Sequence, residues 1–306
     1  MILLYRNDGR GIMRKQHHGA RVIAICAICC ITGALALGLS GCGYNDTIEG
    51  AGGTHFDSPL QVVIADQDGV TVTITQFDEE GGRYRIKVDI QNGSDQGLFF
   101  TAENASINGL MSQTPWKEYV PANDAKTSRI RWDATLLESY GIDSVEKIDF
   151  TLVATATDGK RVFELPVLQY PNGKTGNYDY EYSGSGIPVF DQDGLKMQVI
   201  GIERMGYLGY TLTIYMENDS AQDVAFQMNT ALAGDNMNVP LWSNTVKSGT
   251  AAYTVVSWPR DRVSGGETLA NDQLVLPMQV VTIDGNEVLL QEVFQVTIPA
   301  EMVPAH

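Results

Sequence analysis

Cysteine and histidine are scarce, and both sit toward the ends of the chain. The 306 residues hold four of each. Cys26, Cys29, Cys30 and Cys42 all fall in the first 42 positions, with His17 and His18, while His55 follows soon after and His306 is last. The stretch between His55 and His306 therefore lacks the parts for a disulfide framework, for Ser-His or Cys-His catalysis and for a histidine-based zinc centre. A mechanism built on carboxylates alone survives this count. Positive charge is short as well: 21 Lys and Arg stand against 37 Asp and Glu, a formal charge of -16. Such a balance keeps a protein soluble and disfavours nucleic acid or bare anionic lipid, so no nucleic-acid partner is expected. Sustained helical periodicity is missing too, and Ala134 to Tyr140 offers at most a turn or two of helix. Nothing implies a cofactor.

One long uncharged run exists, Val22 to Gly38, and Arg14, Lys15 and Arg21 precede it. A basic region, an apolar region and then small residues is the order of a secretory signal. The next four residues, Leu39-Ser40-Gly41-Cys42, resemble the lipobox of bacterial lipoproteins. That resemblance implies cleavage before Cys42, a diacylglyceryl group on its thiol and a protein anchored on the extracellular face of the bacterial cell membrane. An ordinary signal peptide ending near a cysteine, or an uncleaved span at the lower limit of length, are the plainer alternatives. Met13-Arg14-Lys15 makes a more usual start than Met1. Removing residues 1–41 takes away five basic residues (Arg6, Arg10, Arg14, Lys15, Arg21) and one acidic (Asp8), which moves the charge from -16 to -20. Cys26-x-x-Cys29 has redox or metal spacing, yet inside an apolar leader it reads as signal peptide. Residues 42–57, rich in Gly and small polar side chains, read as a flexible tether holding the rest about 20 Å from the lipid.

Beyond the tether the chain repeats itself. Asp66-Gln67-Asp68-Gly69 recurs as Asp191-Gln192-Asp193-Gly194, and after one inserted residue the offset settles at 126. Tyr84 to Ile90 then lies over Tyr210 to Met216, Asn92 over Asn218, Trp116 over Trp242 and Trp132 over Trp258. Two copies of one unit are expected, residues 58–170 and 186–300, with a linker at 171–185 and a tail at 301–306.

Each copy reads as β-structure. Val70, Val72 and Ile74 alternate with threonines, and Tyr84, Ile86, Val88 and Ile90 alternate with Arg85, Lys87 and Asp89, the period of strands with one face buried. Ile148, Phe150, Leu152 and Ala154 repeat the pattern before Asp158-Gly159, as do Leu274, Leu276, Met278 and Val280 before Asp284-Gly285; both dipeptides signal type I′ hairpins. The expected fold class is all-β, two tandem antiparallel immunoglobulin-like β-sandwiches after a lipoprotein signal peptide. A strand ending in Asn92, then Asn104-Ala105-Ser106-Ile107-Asn108-Gly109, Ser128-x-Ile130-x-Trp132 and Gly141-Ile142-x-x-Val145-x-x-Ile148-x-Phe150, resembles the immunoglobulin-like domains repeated in surface lipoproteins of Gram-positive gut bacteria. This resemblance covers the first copy well and the second more loosely, departing at Pro259 and Gly265-Gly266. It implies fold and location and brings no catalytic residues.

Site candidates are few. Asp66-x-Asp68-Gly69 and its copy place paired carboxylates before a glycine, as in the first half of a calcium loop, but no closing glutamate follows in both copies and a turn explains the residues. Trp132 and Trp258 fall on inward faces by their spacing of two from Ile130 and Val256. Trp116 and Trp242, in proline-containing segments, are the better candidates for exposure and ligand contact. Tyr178, Tyr180 and Tyr182 alternate with acids in the linker and are expected to lean on neighbouring domains. Each copy is expected to fold separately, because the linker offers little to pack. Together these features point to a lipid-anchored, non-catalytic binding or interaction module for an envelope protein or glycan; an accessory envelope lipoprotein is the alternative, and a carboxylate-based hydrolase ranks below both.

Overall fold

The computed structural model describes residues 61–176, 178–207, 209–228, 232–233, 242–258 and 273–299. The lipobox with Cys42, the tether, the tail and the Pro259 to Gly266 region lie outside the described residues. The first copy contributes β1 (Val62–Gln67), β2 (Val70–Glu79), β3 (Arg83–Asn92), β4 (Leu98–Ile107), β5 (Leu110–Met111), β6 (Lys117–Val120) and β7 (Asp124–Asp133). A short helix α1 (Ala134–Ser139) precedes β8 (Ile148–Ala156) and β9 (Arg161–Gln169). The second copy supplies β10 (Ile187–Gln192), β11 (Leu195–Gly206), β12 (Gly209–Asn218), β13 (Val224–Met228) and β14 (Leu232–Ala233). It ends with β15 (Trp242–Val246), β16 (Thr250–Trp258), β17 (Gln273–Thr282) and β18 (Val288–Thr297).

The fold is all-β and dominated by antiparallel pairing. In the first copy β1-β2-β3-β7 form one sheet, while β4 pairs with β5, β6 and β8, and β8 with β9. The second copy repeats the order: β10-β11-β12-β16 on one side, β15-β13-β17-β18 with β14 on the other. Alternation in sequence becomes alternation in burial. Val72, Ile74, Ile86 and Val88 from one sheet meet Leu98, Phe100, Phe150 and Leu152 from the other in one closed cluster. Leu212, Ile214, Leu276 and Val280 do the same in the second copy. Each such side chain contributes about 1.5–3 kcal/mol when fully buried, so the cores hold the sheets face to face.

Turn chemistry sets the registers. Asp68 and Gly69 take φ of 54° and 75°, Asp193 and Gly194 take 53° and 74°, and Asn108 and Gly109 take 50° and 81°. Two successive left-handed residues joining paired strands make type I′ turns, which only Gly and short polar side chains enter cheaply. The two Asp-Gly pairs expected to turn this way later in each copy do not. At Asp158-Gly159 and Asp284-Gly285 only the glycine has positive φ, and its N–H donates three residues back, to the Ala156 and Thr282 carbonyls. Asp158 accepts from the Lys160 N–H (2.9 Å) and Asp284 from the Asn286 N–H (3.1 Å), local bonds that hold each Asp out of the left-handed region and give a longer loop. The short helix forms where expected, at 134–139, because Asp133 caps it by accepting from the Leu136 N–H at 3.0 Å.

A buried asparagine staples each copy. Asn92 is 1% exposed; its Nδ2 donates to the carbonyls of Gln96, Val120 and Pro121, and its Oδ1 accepts from Ser94. Asn218 repeats two of the three donations, to the carbonyls of Gln222 and Val246, and accepts from Ser220 in the same way. One side chain thus satisfies backbone groups that the strand ends leave open.

Candidate functional site

The most elaborated place on the molecule is the junction between the two copies. Outward positions of β12 and β16 carry Tyr215 and Tyr253, where β3 and β7 have Asp89 and Thr127 at the matching step of 126. An outward tyrosine on a wet sheet face needs a cover, and the first copy with the linker supplies it. Tyr215 is fully buried and belongs, with Ala251, to the first copy's cluster. The Tyr140 ring, just past α1, stacks on Tyr253 at 4.2 Å and 11°. From the linker, Tyr182 lies 5.4 Å from Tyr215, and Tyr180 meets Tyr253 edge-on at 5.9 Å. The Tyr180 hydroxyl donates to the Tyr140 carbonyl, so the Tyr253 hydroxyl, 2.6 Å away, donates to Tyr180.

Backbone and charge complete the closure. Leu110 pairs with Ala251 in a short parallel bridge, and the Ala251 N–H donates to the Gly109 carbonyl at 2.8 Å. Gly109 is required there: a Cβ at its φ of 81° would come within 2.9 Å of the Tyr180 nitrogen. Lys247 reaches Asp149 across the junction at 2.7 Å. The linker tyrosines therefore do lean on their neighbours, and the expectation that the linker offers little to pack is corrected: its alternating pattern half-buries the tyrosines and exposes the acids. Burial pushes the Tyr215 and Tyr253 phenols above the ordinary tyrosine range, aided by Glu217 beside the first and the bond to Tyr180 at the second.

Beside the tyrosines opens a cleft of about 300 Å³, lined by Asp179, Tyr180, Glu181, Glu217, Asp219, Gly249 and Thr250. Its acids are partly answered: Lys147 lies 3.7 Å from Asp179 and Lys196 lies 3.3 Å from Glu217. Asp219 is held above the usual carboxylate range, by partial burial first and then by Glu217 and Asp179. A carboxylate that binds its proton more tightly when folded stabilises the fold below its unfolded pKa, about 3.9, and loses that contribution as pH rises through the folded value. Asp219→Asn is therefore expected to raise stability at pH 7 by less than about 1 kcal/mol after solvent screening. Melting curves at pH 7 and pH 3.5 check it; the gain should vanish at the lower pH.

The residues singled out in the sequence are dispersed. Trp116 is 8% exposed, a correction to its expected exposure. Its indole N–H donates to Ser128 (2.9 Å), which donates to Glu118 (2.6 Å). A ring facing β7 in this way buries against the sheet edge. Trp242 is half-buried, its indole 3.4 Å from the Thr254 hydroxyl, which is the same contact at the repeat step. Trp132 and Trp258 are core residues, at 2% and 0% exposure, as their spacing requires. The carboxylates of Asp66-x-Asp68-Gly69 serve the turn: Asp68 enters it and Asp66 accepts from the Thr71 hydroxyl at 3.3 Å. An aromatic pair at the surface of the first copy, exposed Tyr119 with half-buried Phe99, rings 5.0 Å apart, is one that sequence reasoning passed over. The signal for the junction was available as well, in the exchange of Asp89 and Thr127 for tyrosines.

No protein-family model matches the chain, and no curated protein matches it in sequence. Among solved structures it is similar to the YadV chaperone, at 10% identity over 69% of this chain and 91% of that one, with a TM-score of 0.22. The red sea bream transglutaminase matches at 13% identity over 74% of this chain and 30% of its own, TM-score 0.20. The structure named pT26-6p matches at 8% identity over 80% and 65%, TM-score 0.21. None of these likenesses lends the chain a function.

Proposed function

We propose that the chain is a lipid-anchored, cell-surface protein whose two immunoglobulin-like sandwiches form a non-catalytic binding module for an envelope protein or glycan. The observation that carries this reading is the clasped junction, because a display module benefits from presenting two domains as one body. Location rests on Leu39-Ser40-Gly41-Cys42 behind its basic and apolar leader. Two of the four acids lining the cleft are engaged, Glu217 by Lys196 and Tyr215 and Asp179 by Lys147, which weighs toward binding over catalysis. A fixed spacing between domains equally suits the second reading, an accessory lipoprotein that props an envelope assembly.

Cys42→Ala is expected to leave a precursor that is neither lipidated nor cut at this site, because the thioether needs the thiol. Cells fed a fatty-acid analogue report this directly; a mutant labelled as strongly as the parent would sink the lipoprotein reading. Saturable binding of the native chain to a panel of envelope glycans favours the module. No binding, together with a membrane protein that copurifies after cross-linking, favours the accessory role.

A further inference from the structure

In a strongly acidic chain, one outward sheet face concentrates positive charge. On β3 the outward side chains run Arg83, Arg85, Lys87 and Asp89, and on β7 they run Asp133, Arg131, Arg129 and Thr127. The ends of this grid are balanced, Arg83 against Asp133 and Asp89 hydrogen-bonded to Thr127 at 2.6 Å. Its middle is balanced only in part: Arg85 lies directly opposite Arg131, and Lys87 directly opposite Arg129. Arg85 pairs with Asp78 and Glu80. Lys87, Arg129 and Arg131 have no ion pair among the described residues, and both arginines are exposed.

Like charges facing each other across strands are destabilising. The second copy avoids the cost, having Thr211, Thr213, Val255 and Ser257 at the matching positions. One bare like-charge pair, Lys87 with Arg129, and beside it Arg131 without an ion pair among the described residues, kept in one copy and absent from the other, mark a surface that gains from an external anion. We propose that this face of β3 and β7 binds a linear phosphate-bearing polymer lying along the strands. Cations about 5 Å apart across the strands and about 6.7 Å apart along them suit a chain with closely repeated charges.

The partner's shape follows from the rest of the charge. At physiological ionic strength interactions fade over about 8 Å, so a narrow polymer on this patch is held by its cations and screened from distant acids. A flat anionic membrane would instead face a molecule of formal charge -16 across a broad area. Bases are not read either, since the neighbours of the grid, Gln76 beside Lys87 and Thr127 beside Arg129, offer hydrogen bonds rather than stacking rings. The proposal deepens the binding-module reading and rests on it for relevance, yet it does not depend on Cys42.

Full-length protein in neutral detergent, titrated with inorganic polyphosphate at 50 mM salt, tests it. Saturable binding is expected, and Arg129→Gln/Arg131→Gln should weaken it at least tenfold. That pair should also lower the slope of log affinity against log salt by about 2. Lys160→Gln/Lys174→Gln removes the same charge elsewhere and should change affinity less than twofold. Absent binding, or equal effects from the two pairs, overturns the proposal while leaving the lipidation test untouched. Binding that needs the arginines but appears only with phosphatidylglycerol vesicles, above a phosphatidylcholine control, also overturns it by assigning the face to lipid.

Discussion

Truncating Trp132 or Trp258 to alanine is expected to cost about 3–5 kcal/mol, a large part of the 5–15 kcal/mol that typically holds a domain together. Both rings are almost fully enclosed, Trp132 in the first copy's core and Trp258 in the second. Removal leaves a cavity that the rigid sheets around it cannot close. The two sites differ in one respect. Trp132 donates its indole N–H to the Ser112 carbonyl at 2.9 Å, so its loss also strands a carbonyl. Trp258 packs edge-on against Tyr210 at 5.5 Å, and its indole has no acceptor among the described residues. Trp132→Ala should therefore be the costlier of the two. Denaturant titrations of each variant, with near-ultraviolet dichroism to report which copy loses its packing, measure this. Unchanged midpoints would mean that neither ring supports a core.

How much of this was legible beforehand divides along physical lines. Strand identity came from alternation, since Ile86, Val88 and Ile90 can bury together only on a pleated strand. The inward tryptophans followed from the same period. Turn type was harder, because Asp-Gly suits both a type I′ pair and a longer loop closed by glycine alone. The side-chain bonds of Asp158 and Asp284 decide between them, and those bonds depend on which backbone nitrogen comes within reach. Trp116 misled because a neighbouring proline suggests a loop, whereas the ring's fate is set by Ser128 and Glu118 on strands brought near only by folding. Exposure of the cationic grid on β3 and β7 could not be read without knowing which strands pair, for Lys87 and Arg129 are 42 positions apart and meet only through register.

The junction is where sequence comparison within the chain says most, and it carries the last expectation. Tyr215→Asp together with Tyr253→Thr gives the second copy the residues that the first copy already tolerates at its own solvent-facing positions, Asp89 and Thr127. Strand pairing of β12 with β16 should survive, because the inward residues Leu212, Ile214 and Val256 are untouched. What disappears is the stack on Tyr140, the hydroxyl bond to Tyr180 and the ring that enters the first copy's cluster. Burying an aromatic side chain stabilises by about 1.5–3 kcal/mol, so the pair should remove about 3–6 kcal/mol of coupling. An added carboxylate beside Glu217 and Asp179 would push the surfaces further apart. The parent should then melt in one transition and the double variant in two, with a larger radius of gyration in solution scattering. High pH gives an independent reading. Phenols whose folded pKa is raised stabilise the junction fully below their unfolded value, about 10, and that contribution is lost as pH climbs toward the folded one. The parent should accordingly begin to open above about pH 10, while the double variant, already open, should show no such step. A double variant that keeps one transition and the parent's dimensions would mean that Lys247 with Asp149 and the Leu110 bridge hold the copies without the tyrosines.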